Sequence, residues 1–334
     1  MKNFINIRDI STKDLKKIIL DAKKRKAKRN KLNYLDSDKD SPLKGRFLIQ
    51  MFEKSSTRTR LSFYLAIRQL GGGALNLRKD ELHFGEGGES IHDTAKILSN
   101  YGDIFMLRTD SDKKLEEFKK HINIPIINGL SPSSHPTQIL SDIFTIEEIT
   151  KKSINTLNIC WIGDSNNVLN SLIEASIIFS FILKIGCPMK FQTNKFLINL
   201  VKKNKSKIKI FNDPKKAILG ADVVFADKFI GLYDKKNKKK KIKDFKNFKV
   251  NLKLMSYAKK KAIFLHCLPA SRGQEVSTEV IDGQQSKVWQ QALNRLHVQK
   301  SILLYCLEKL RKFFRLVTIL IKIKYYGSSV LFFF

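Results

Sequence analysis

Short apolar runs alternate with longer amphipathic segments along most of the chain, and this alternation limits the fold more than any other feature. The runs have the length and composition of buried strands, and the segments space their apolar residues as helices do. Strands that alternate with helices form parallel sheets, which collect ligands at the carboxyl ends of their strands. In the first half of the chain the predicted strands are 46–52, 103–108 and 124–129, and the predicted helices are those after Ser11, over 61–67, 91–100, 112–121 and 136–150.

The pattern restarts after Lys151-Lys152, and 334 residues suit two domains at roughly 100 to 200 residues each. We therefore predict one α/β domain over residues 1–150 and a second over 151–287, followed by a helix from about Val288. The elements predicted in the second domain are strands at 157–162, 188–192, 207–211, 222–226 and from 262, and helices at 168–184, 194–203 and after Asp213-Pro214.

Two stretches interrupt the alternation. Gly71-Gly72-Gly73 is predicted to stop a helix, with a polar, glycine-rich loop following at 83–90. The stretch 234–246 contains Lys238 to Lys241 and is predicted to be a solvated loop. Polar loops of this kind lie at the surface, and some cover binding sites.

The net charge of +32 arises from 63 basic and 31 acidic residues. Such a charge favours polyanions or small acidic ligands as partners, and a basic nucleic-acid-binding protein is one alternative that it supports. Much of this charge comes from lysines spread over the polar faces of the predicted elements, and a lysine-rich composition would produce it without any functional role. No aromatic side chains alternate with the lysines of 238–241 as a single-strand-binding surface would require, so we expect no nucleic-acid partner.

The cysteines show neither a short paired spacing nor histidines at zinc-ligand intervals, and they are Cys160, Cys187, Cys267 and Cys306. We therefore expect reduced thiols in a cytoplasmic protein, and no metal. The N-terminus is charged too early for a signal peptide, and no uncharged stretch before residue 300 is long enough to span a membrane. We expect no membrane partner.

A turn rich in hydroxyls and arginines, Ser56-Thr57-Arg58-Thr59-Arg60, lies between the predicted strand at 46–52 and the next helix. Helix N-termini expose unpaired N–H groups and the positive end of the helix dipole. A phosphate group is therefore the ligand that this turn suits best, and Arg58 could add a bidentate contact.

Other polar side chains follow predicted strands. Arg108 ends a strand, and His135 and Gln138 share the first turn of a predicted helix. Asn167 and Asp227 follow strands of the second domain in the same way. Because the carboxyl ends of parallel strands meet at one edge of a sheet, we expect a site at this edge of each sheet.

Four motifs taken together are specific. They are Ser56-Thr57-Arg58-Thr59-Arg60, His135-Pro136-Thr137-Gln138, His266-Cys267-Leu268-Pro269 and Asn294-Arg295. In this order and with these separations they resemble the signature of the aspartate/ornithine carbamoyltransferase family over roughly residues 1–310. Cys267 in its turn, with Asn167 and Asp227, is similar to the ornithine branch of that family.

The resemblance implies an α/β fold of two doubly wound parallel-sheet domains joined by crossing helices. Residues 1–150 would bind carbamoyl phosphate, 151–287 would bind ornithine, and a helix at 288–310 would pack back on the first domain. The implied reaction moves the carbamoyl group of carbamoyl phosphate to the δ-amine of L-ornithine, giving L-citrulline and phosphate, as in arginine biosynthesis. The resemblance further implies a homotrimer without a metal or organic cofactor.

By matching positions, the resemblance implies roles for single residues. The residues implied for carbamoyl phosphate binding are Ser56, Thr57, Arg58, Thr59, Arg108, His135, Gln138, Cys267, Leu268 and Arg295. Those implied for ornithine binding are Asn167, Asp227, Gly231 and Leu232. The catalytic residues would be Arg108, His135 and Cys267, and we expect Cys267 to orient the substrate rather than to act as a nucleophile.

The chain departs from the family's pattern after Asp227. Ornithine enzymes usually carry a Ser-Met-Gly loop there, whereas this chain has Gly231-Leu232-Tyr233, so the serine hydroxyl is missing. A Gly-Leu-Tyr string resembles putrescine carbamoyltransferases, which makes putrescine the alternative amine. Asn167 favours ornithine. The apolar tail at 311–334 has no counterpart in the family, and we expect it to be an extension without a function of its own.

Overall fold

The structure is a computed structural model that describes residues 2–78, 88–192, 199–200, 202, 207–231 and 238–308. Its strands are β1 Phe47–Phe52, β2 Gly73–Arg78, β3 Ile104–Arg108, β4 Ile126–Leu130, β5 Asn158–Ile162, β6 Ile182–Gly186, β7 Ile208–Phe211, β8 Val223–Ala226 and β9 Ile263–Leu265. Its α-helices are α1 Thr12–Lys28, α2 Thr57–Gln69, α3 Ile91–Tyr101, α4 Asp112–His121, α5 Pro136–Thr150, α6 Asn167–Phe179, α7 Pro214–Ile218, α8 Lys238–Asp244, α9 Leu252–Met255, α10 Thr278–Ile281 and α11 Val288–Cys306.

The described strands form two wholly parallel sheets, which confirms the predicted fold class. The first sheet has the order β2-β1-β3-β4, and the second has the order β7-β6-β5-β8-β9. In each sheet the chain starts at an inner strand, winds to one edge and then returns to build the other side. The strand order therefore reverses between β1 and β3 in the first sheet, and between β5 and β8 in the second. Ligands of doubly wound sheets bind at such reversal points.

Helix α11 crosses back from the second domain to pack against α1, α2 and α5 of the first. From Asn294 to Cys306 every residue of this helix is buried, so it has no polar face toward water. Its buried polar groups pair with the first domain: the Lys300 ammonium donates to Asp38 at 2.7 Å, and the Ser301 hydroxyl donates to Asp21 at 2.7 Å. The two domains consequently share one continuous core around α5, α6 and α11.

Local sequence signals set the starts of several helices. Ser11 accepts a hydrogen bond from the Asp14 backbone N–H at 3.1 Å and caps α1, as predicted. Pro136 is the first residue of α5, where its missing N–H costs nothing. Asn166 caps α6 by accepting from the backbone N–H groups of Val168 and Leu169. The starts of α5 and α6 follow strands that lead into the site, so they also fix where the site residues lie.

The sequence analysis missed or misassigned elements at three places in the chain. The glycine run at 71–73 follows the end of α2, as predicted, but it also leads into β2, a strand that the sequence analysis missed. The apolar stretch 168–184 is split by Ser180, whose φ of 60° ends α6, and β6 lies at Ile182–Gly186 while Met189–Phe191 forms a 3₁₀ turn instead of a strand. Part of the lysine-rich stretch predicted to be a loop is α8. Short apolar runs cannot be assigned to helix or strand by periodicity alone.

Other predictions fall on residues outside those described. These include most of the predicted helix at 194–203, the loop from His83 to Gly87, Leu232 and the tail at 311–334. Within the described part of the chain, no helix is both long and apolar enough to cross a membrane.

Candidate functional site

A cavity of about 530 Å³ lies between the two reversal points. It is lined by predicted site residues from both domains and from α11: Ser56, Arg58, Thr59, Arg108, His135, Asn167, Asp227, Gly231, Cys267, Leu268 and Arg295. Two predicted residues, Thr57 and Gln138, do not line it, and Leu232 lies outside the described residues. The fold thus brings together groups that are far apart in sequence, such as Thr59 and Arg295, which are 236 positions apart.

The Ser-Thr-Arg turn gives the first domain its anion-binding end. Ser56 precedes α2 with an extended backbone, and its side chain accepts no hydrogen bond from the first turn of the helix. The N–H groups of that turn are therefore left without a side-chain cap beside the cavity, and the helix dipole adds positive potential. This is the arrangement that binds phosphate at helix N-termini.

Three arginines converge beside this turn. Arg295 and Arg108 both donate to the Thr59 hydroxyl, at 2.7 and 3.4 Å, and Arg58 donates to the Leu268 carbonyl at 2.5 Å. Burial together with the charges of Arg58 and Arg108 lowers the pKa of Arg295 to about 10. Three cations held this closely repel one another, so the site favours a ligand that carries at least two negative charges.

His135 lies at the start of α5, 4% exposed, with its backbone N–H donating to the Ser171 hydroxyl at 2.9 Å. Burial, followed by the charges of Arg295, Arg108 and Arg58, holds the pKa of His135 well below its ordinary value. The ring is therefore neutral at pH 7, and its Nδ1 is buried without a hydrogen-bond partner among the described residues. A neutral imidazole can donate one hydrogen bond to a carbonyl oxygen without bringing in a further charge.

The second domain contributes an acidic side chain, Asp227, to the cavity that the three arginines line. Asp227 follows β8, and its two carboxylate oxygens accept from Asn166 Nδ2 at 2.7 Å and from Cys267 Sγ at 3.3 Å. Burial, and then the neighbouring Asp227 charge, raises the pKa of the Cys267 thiol well above its ordinary value. The thiol is therefore protonated, and a protonated thiol is a poor nucleophile. Asn167, the neighbour of Asn166, instead donates its Nδ2 to the Ser131 carbonyl at 2.8 Å.

Gln138 belongs to a buried chain of hydrogen bonds behind the cavity wall. Its Nε2 donates to Asp142 Oδ1 at 2.8 Å, and Gln291 of α11 donates to the same oxygen at 2.8 Å. The Gln291 Oε1 accepts in turn from the His266 backbone N–H at 3.0 Å. Asp142 therefore links α5 of the first domain to the His266-Cys267-Leu268-Pro269 turn of the second.

The His266 ring shapes that turn instead of facing the cavity. Its Nδ1 accepts from the Leu268 backbone N–H at 2.9 Å, and its Nε2 faces the buried carboxylate of Glu275 at 3.2 Å. Leu268 has a φ of 58°, which is rare for a residue with a side chain and marks a backbone that the surroundings hold in place. In this conformation the Leu268 carbonyl accepts a hydrogen bond from Arg58 across the domain boundary.

Sequence reasoning missed several polar and charged residues of the lining. Asp164 and Asn166 lie in the turn after β5, and Lys228 and Lys238 lie on the side of Asp227. Asn167 was predicted from the sequence, and Asn166 directly precedes it in the polar turn Gly163-Asp164-Ser165-Asn166-Asn167, so Asn166 could have been included. Nothing in the sequence pattern placed Lys238 near the cavity.

Two family models match the chain. The one described as "Aspartate/ornithine carbamoyltransferase, carbamoyl-P binding domain" matches residues 2–148, and the one described as "Aspartate/ornithine carbamoyltransferase, Asp/Orn binding domain" matches residues 155–306. The chain belongs to the aspartate/ornithine carbamoyltransferase family.

Similar proteins agree with this assignment. The ornithine carbamoyltransferase of Nitrobacter winogradskyi is 42% identical over 306 residues, which cover 92% of this chain and 97% of that one. The solved ornithine carbamoyltransferase of Pyrococcus furiosus is 35% identical, with a TM-score of 0.84 over 91% of this chain and 96% of that one. The anabolic ornithine carbamoyltransferase of Campylobacter jejuni is also 35% identical, with a TM-score of 0.84 over 92% of this chain and all of that one.

Among the described residues of this carbamoyltransferase, one group of side chains could be considered for a metal ion. The ligand atoms of Asp227, His266 and Cys267 lie within 4.8 Å of one another. Both ring nitrogens of His266 already take part in hydrogen bonds, to the Leu268 N–H and to Glu275. A metal ion would have to break one of the bonds that hold the turn, so this donor set does not fit a resident metal.

Replacing Cys267 with serine tests whether the thiol orients the substrate in this carbamoyltransferase. A serine hydroxyl can also donate to Asp227, so we expect Cys267→Ser to keep activity within about tenfold of the unchanged protein, as for one weakened hydrogen bond. Steady-state turnover measures this. Cys306→Ser, at a buried thiol in α11, controls for a general loss of stability. Complete loss of activity in Cys267→Ser alone, together with a carbamoyl group trapped on Cys267 in the unchanged protein, would contradict the orienting role.

Asp142 should make the stability of the protein depend on pH. Burial raises the pKa of Asp142 to about 7, from 3.8 in an unfolded chain. The folded protein therefore binds one more proton than the unfolded chain between these values, and the free energy of unfolding falls as the pH rises from 4 to 7. We expect this contribution to be about 4 kcal/mol over that interval and to be absent in Asp142→Asn. Denaturant titrations of both proteins at several pH values measure it, and identical pH profiles would refute the assignment.

Proposed function

We propose that this protein is an ornithine carbamoyltransferase that transfers the carbamoyl group of carbamoyl phosphate to the δ-amine of L-ornithine and releases L-citrulline and phosphate. The observation that carries the proposal is the cavity itself. Arg58, Arg108 and Arg295 converge beside the N-terminus of α2, and Asp227 with Cys267 lines the same cavity from the second domain. The three arginines suit a dianionic phosphate compound, and the Asp227 carboxylate suits an ammonium group.

The phosphate end of carbamoyl phosphate binds at the start of α2. Ser56, Thr57 and Thr59 supply backbone N–H and hydroxyl donors there, and Arg58 and Arg295 supply charge-assisted hydrogen bonds. The carbamoyl carbonyl oxygen points toward Arg108 and His135. Gln138 supports the carbamoyl end from behind the cavity wall, since its Nε2 is bound to Asp142 and its Oε1 is free to accept a hydrogen bond.

The amino-acid end of ornithine binds in the second domain. Asp227 attracts the α-ammonium group, and Asn167 and Gly231 line the cavity beside it. The resemblance to the family assigns Leu232 to ornithine binding as well. Cys267 and Leu268 lie beside the path of the δ-amine. The resulting orientation aims the δ-amine at the carbamoyl carbon.

The reaction then needs no protein nucleophile. The neutral δ-amine attacks the carbonyl carbon, a C–N bond forms, and the negative charge that develops on the oxygen is stabilised by Arg108, His135 and the Thr59 hydroxyl. The C–O bond to phosphate breaks, and phosphate leaves with the electron pair beside Arg58 and Arg295. The departing phosphate accepts the proton that the attacking nitrogen loses. Most of the acceleration comes from holding two reactants in line in a preorganised electrostatic field.

The names of similar proteins support ornithine over putrescine as the amine. We also propose that the protein is a homotrimer, as the resemblance to the family implies. A cytoplasmic location is supported by the four cysteines, all of them free thiols in the structure.

Product analysis of the purified protein tests the proposal. Carbamoyl phosphate is offered with L-ornithine, putrescine or L-aspartate, and citrulline, carbamoylputrescine and carbamoylaspartate are measured by chromatography. We expect citrulline to form with a kcat/KM at least about 100-fold above that for either other amine, the difference that one or two lost charged contacts produce. Turnover of putrescine alone would overturn the proposal.

A further inference from the structure

Glu53 is a buried carboxylate that the proposed reaction does not use. It directly follows β1, and its side chain is 1% exposed. Its two carboxylate oxygens accept three hydrogen bonds from the segment after β3. The donors are the Thr109 hydroxyl, the Asp110 backbone N–H at 3.2 Å and the Lys114 ammonium at 2.7 Å. A buried carboxylate with several donors holds the segments that carry those donors in one arrangement.

The backbone of Glu53 binds the same strand end. Its N–H donates to the Arg108 carbonyl at 2.9 Å, directly after the last paired residues of β1 and β3. The pairing of β3 with β4 shifts its register between Leu107 and Arg108, so the regular ladder is interrupted at the residue that carries the guanidinium. Glu53 therefore holds Arg108 on two sides, through the Arg108 carbonyl and through Thr109, the residue that follows it.

The three arginines of the cavity are carried by different elements. Arg58 lies on α2 and Arg295 lies on α11, whereas Arg108 is the last residue of β3. Arg108 lines the cavity and donates to the Thr59 hydroxyl at 3.4 Å. A change at the end of β3 should therefore move Arg108 and leave the other two arginines in place.

We propose that Glu53 is a positioning residue that holds Arg108 where it stabilises the charge on the carbamoyl oxygen in the transition state. This inference rests on the proposed function. A preorganised donor stabilises a developing charge only from within hydrogen-bond distance of the oxygen that carries it. A misplacement of about 1 Å can cost about 100-fold in rate. The Thr109 hydroxyl transmits the position of the Glu53 carboxylate to the end of β3.

Two variants of Thr109 test the inference with little risk to folding. Valine keeps the shape of threonine without the hydroxyl, and we expect Thr109→Val to lower kcat about tenfold, as for one lost hydrogen bond to a charged group. Serine keeps the hydroxyl, so Thr109→Ser should retain kcat within about twofold. In both variants the affinity for inorganic phosphate should stay within about twofold in a calorimetric titration, because Arg58 and Arg295 are unmoved.

Glu53→Gln tests the carboxylate itself. Glutamine keeps the shape and one acceptor oxygen but loses the charge, and Lys114 retains Asp110 as a partner at 3.4 Å. We expect kcat to fall about 30-fold, as for a lost charge-assisted hydrogen bond, with phosphate affinity again within about twofold. Glu116→Gln, at an exposed position on α4, is the matched control and should behave like the unchanged protein.

A double-mutant cycle shows whether Glu53 acts through Arg108. In a protein that already carries Arg108→Met, Glu53→Gln should lower kcat by less than about threefold, because the group that Glu53 positions is absent. The cycle is run with Thr109→Val as well, so its result does not depend on whether Glu53→Gln folds. Equal factors with and without Arg108 would overturn the inference, since Glu53 would then support the fold in general.

Three other results would also overturn the inference. Phosphate affinity that fell as far as kcat would show that Glu53 shapes the Ser-Thr-Arg turn instead of the Arg108 strand end. An unchanged kcat in both Glu53→Gln and Thr109→Val would remove the positioning role and leave the proposed function intact. Absence of ornithine turnover in the unchanged protein would overturn the proposed function and this inference with it.

Discussion

Replacing Arg58 with methionine is expected to lower kcat/KM about 1,000-fold, the loss produced when one preorganised donor to a developing charge is removed. Arg58 lies at the start of α2 and reaches across the domain boundary to the Leu268 carbonyl at 2.5 Å. The variant would therefore lose a contact to the departing phosphate and also the link that holds the Leu268 turn in place. Steady-state kinetics with both substrates varied measures the effect.

Arg68 provides the matched control for Arg58. It is an exposed arginine at the other end of the same helix, so Arg68→Met removes an equal charge without touching the cavity. We expect its kcat/KM to stay within about twofold of the unchanged protein, as for most exposed substitutions. Equal losses in Arg58→Met and Arg68→Met would show that total charge, not the contact at the cavity, controls activity.

Replacing Asp227 with asparagine is expected to raise the KM for ornithine about 100-fold. Asparagine keeps the shape of the side chain and one acceptor oxygen but removes the negative charge that attracts the α-ammonium group. Truncating one partner of a buried charge pair costs about 2 to 5 kcal/mol, and a rise in KM of about 100-fold lies within that range. Kinetics with ornithine varied at saturating carbamoyl phosphate measures the change.

Binding of inorganic phosphate shows whether Asp227→Asn weakens ornithine binding alone or disturbs the whole cavity. The Asp227 carboxylate bonds to Asn166 and Cys267 and not to the arginine cluster. Asp227→Asn should therefore bind inorganic phosphate with an affinity within about threefold of the unchanged protein in a calorimetric titration, a change below 1 kcal/mol. If phosphate affinity fell as far as ornithine affinity, Asp227 would be stabilising the cavity as a whole and not binding the amine substrate.

The sequence predicts those residues of the site that lie at or near the ends of strands. Arg58, Arg108, His135, Asp227 and Cys267 all lie at or after the ends of strands, and the reversal of strand order brings those ends together. The rule depends only on the parallel sheet, so it holds even where element boundaries are shifted by a few residues. For that reason the error in placing β6 did not displace any of these residues.

The sequence does not predict which of two neighbours turns toward the cavity centre. Asn166 bonds to Asp227 and Asn167 bonds to Ser131, although the sequence analysis assigned only Asn167 to the substrate. Successive residues at a helix start differ in direction by about 100°, so the choice depends on where α6 begins. That start is fixed by Asn166 acting as the cap, which is visible only once the backbone is known.

The sequence also does not predict which distant segments contact one another. The Lys241–Asp164 pair joins residues 77 positions apart and turns part of a lysine-rich stretch into a wall of the cavity. Gln138 is near the site, but its amide is bound to Asp142 and it does not line the cavity. Composition and periodicity describe faces of elements, and they do not determine which faces of different elements meet.

Carbamoyl transfer itself is the most direct test of the account. Carbamoyl phosphate labelled with ¹³C at its carbonyl carbon is mixed with the purified protein and L-ornithine, and the ¹³C resonance is followed by NMR. The account predicts that the label moves to the ureido carbon of citrulline in step with phosphate release, and that Arg58→Met slows the transfer about 1,000-fold while Arg68→Met does not. Label that appears only in the products of spontaneous carbamoyl phosphate breakdown, at the same rate with and without the protein, would contradict it.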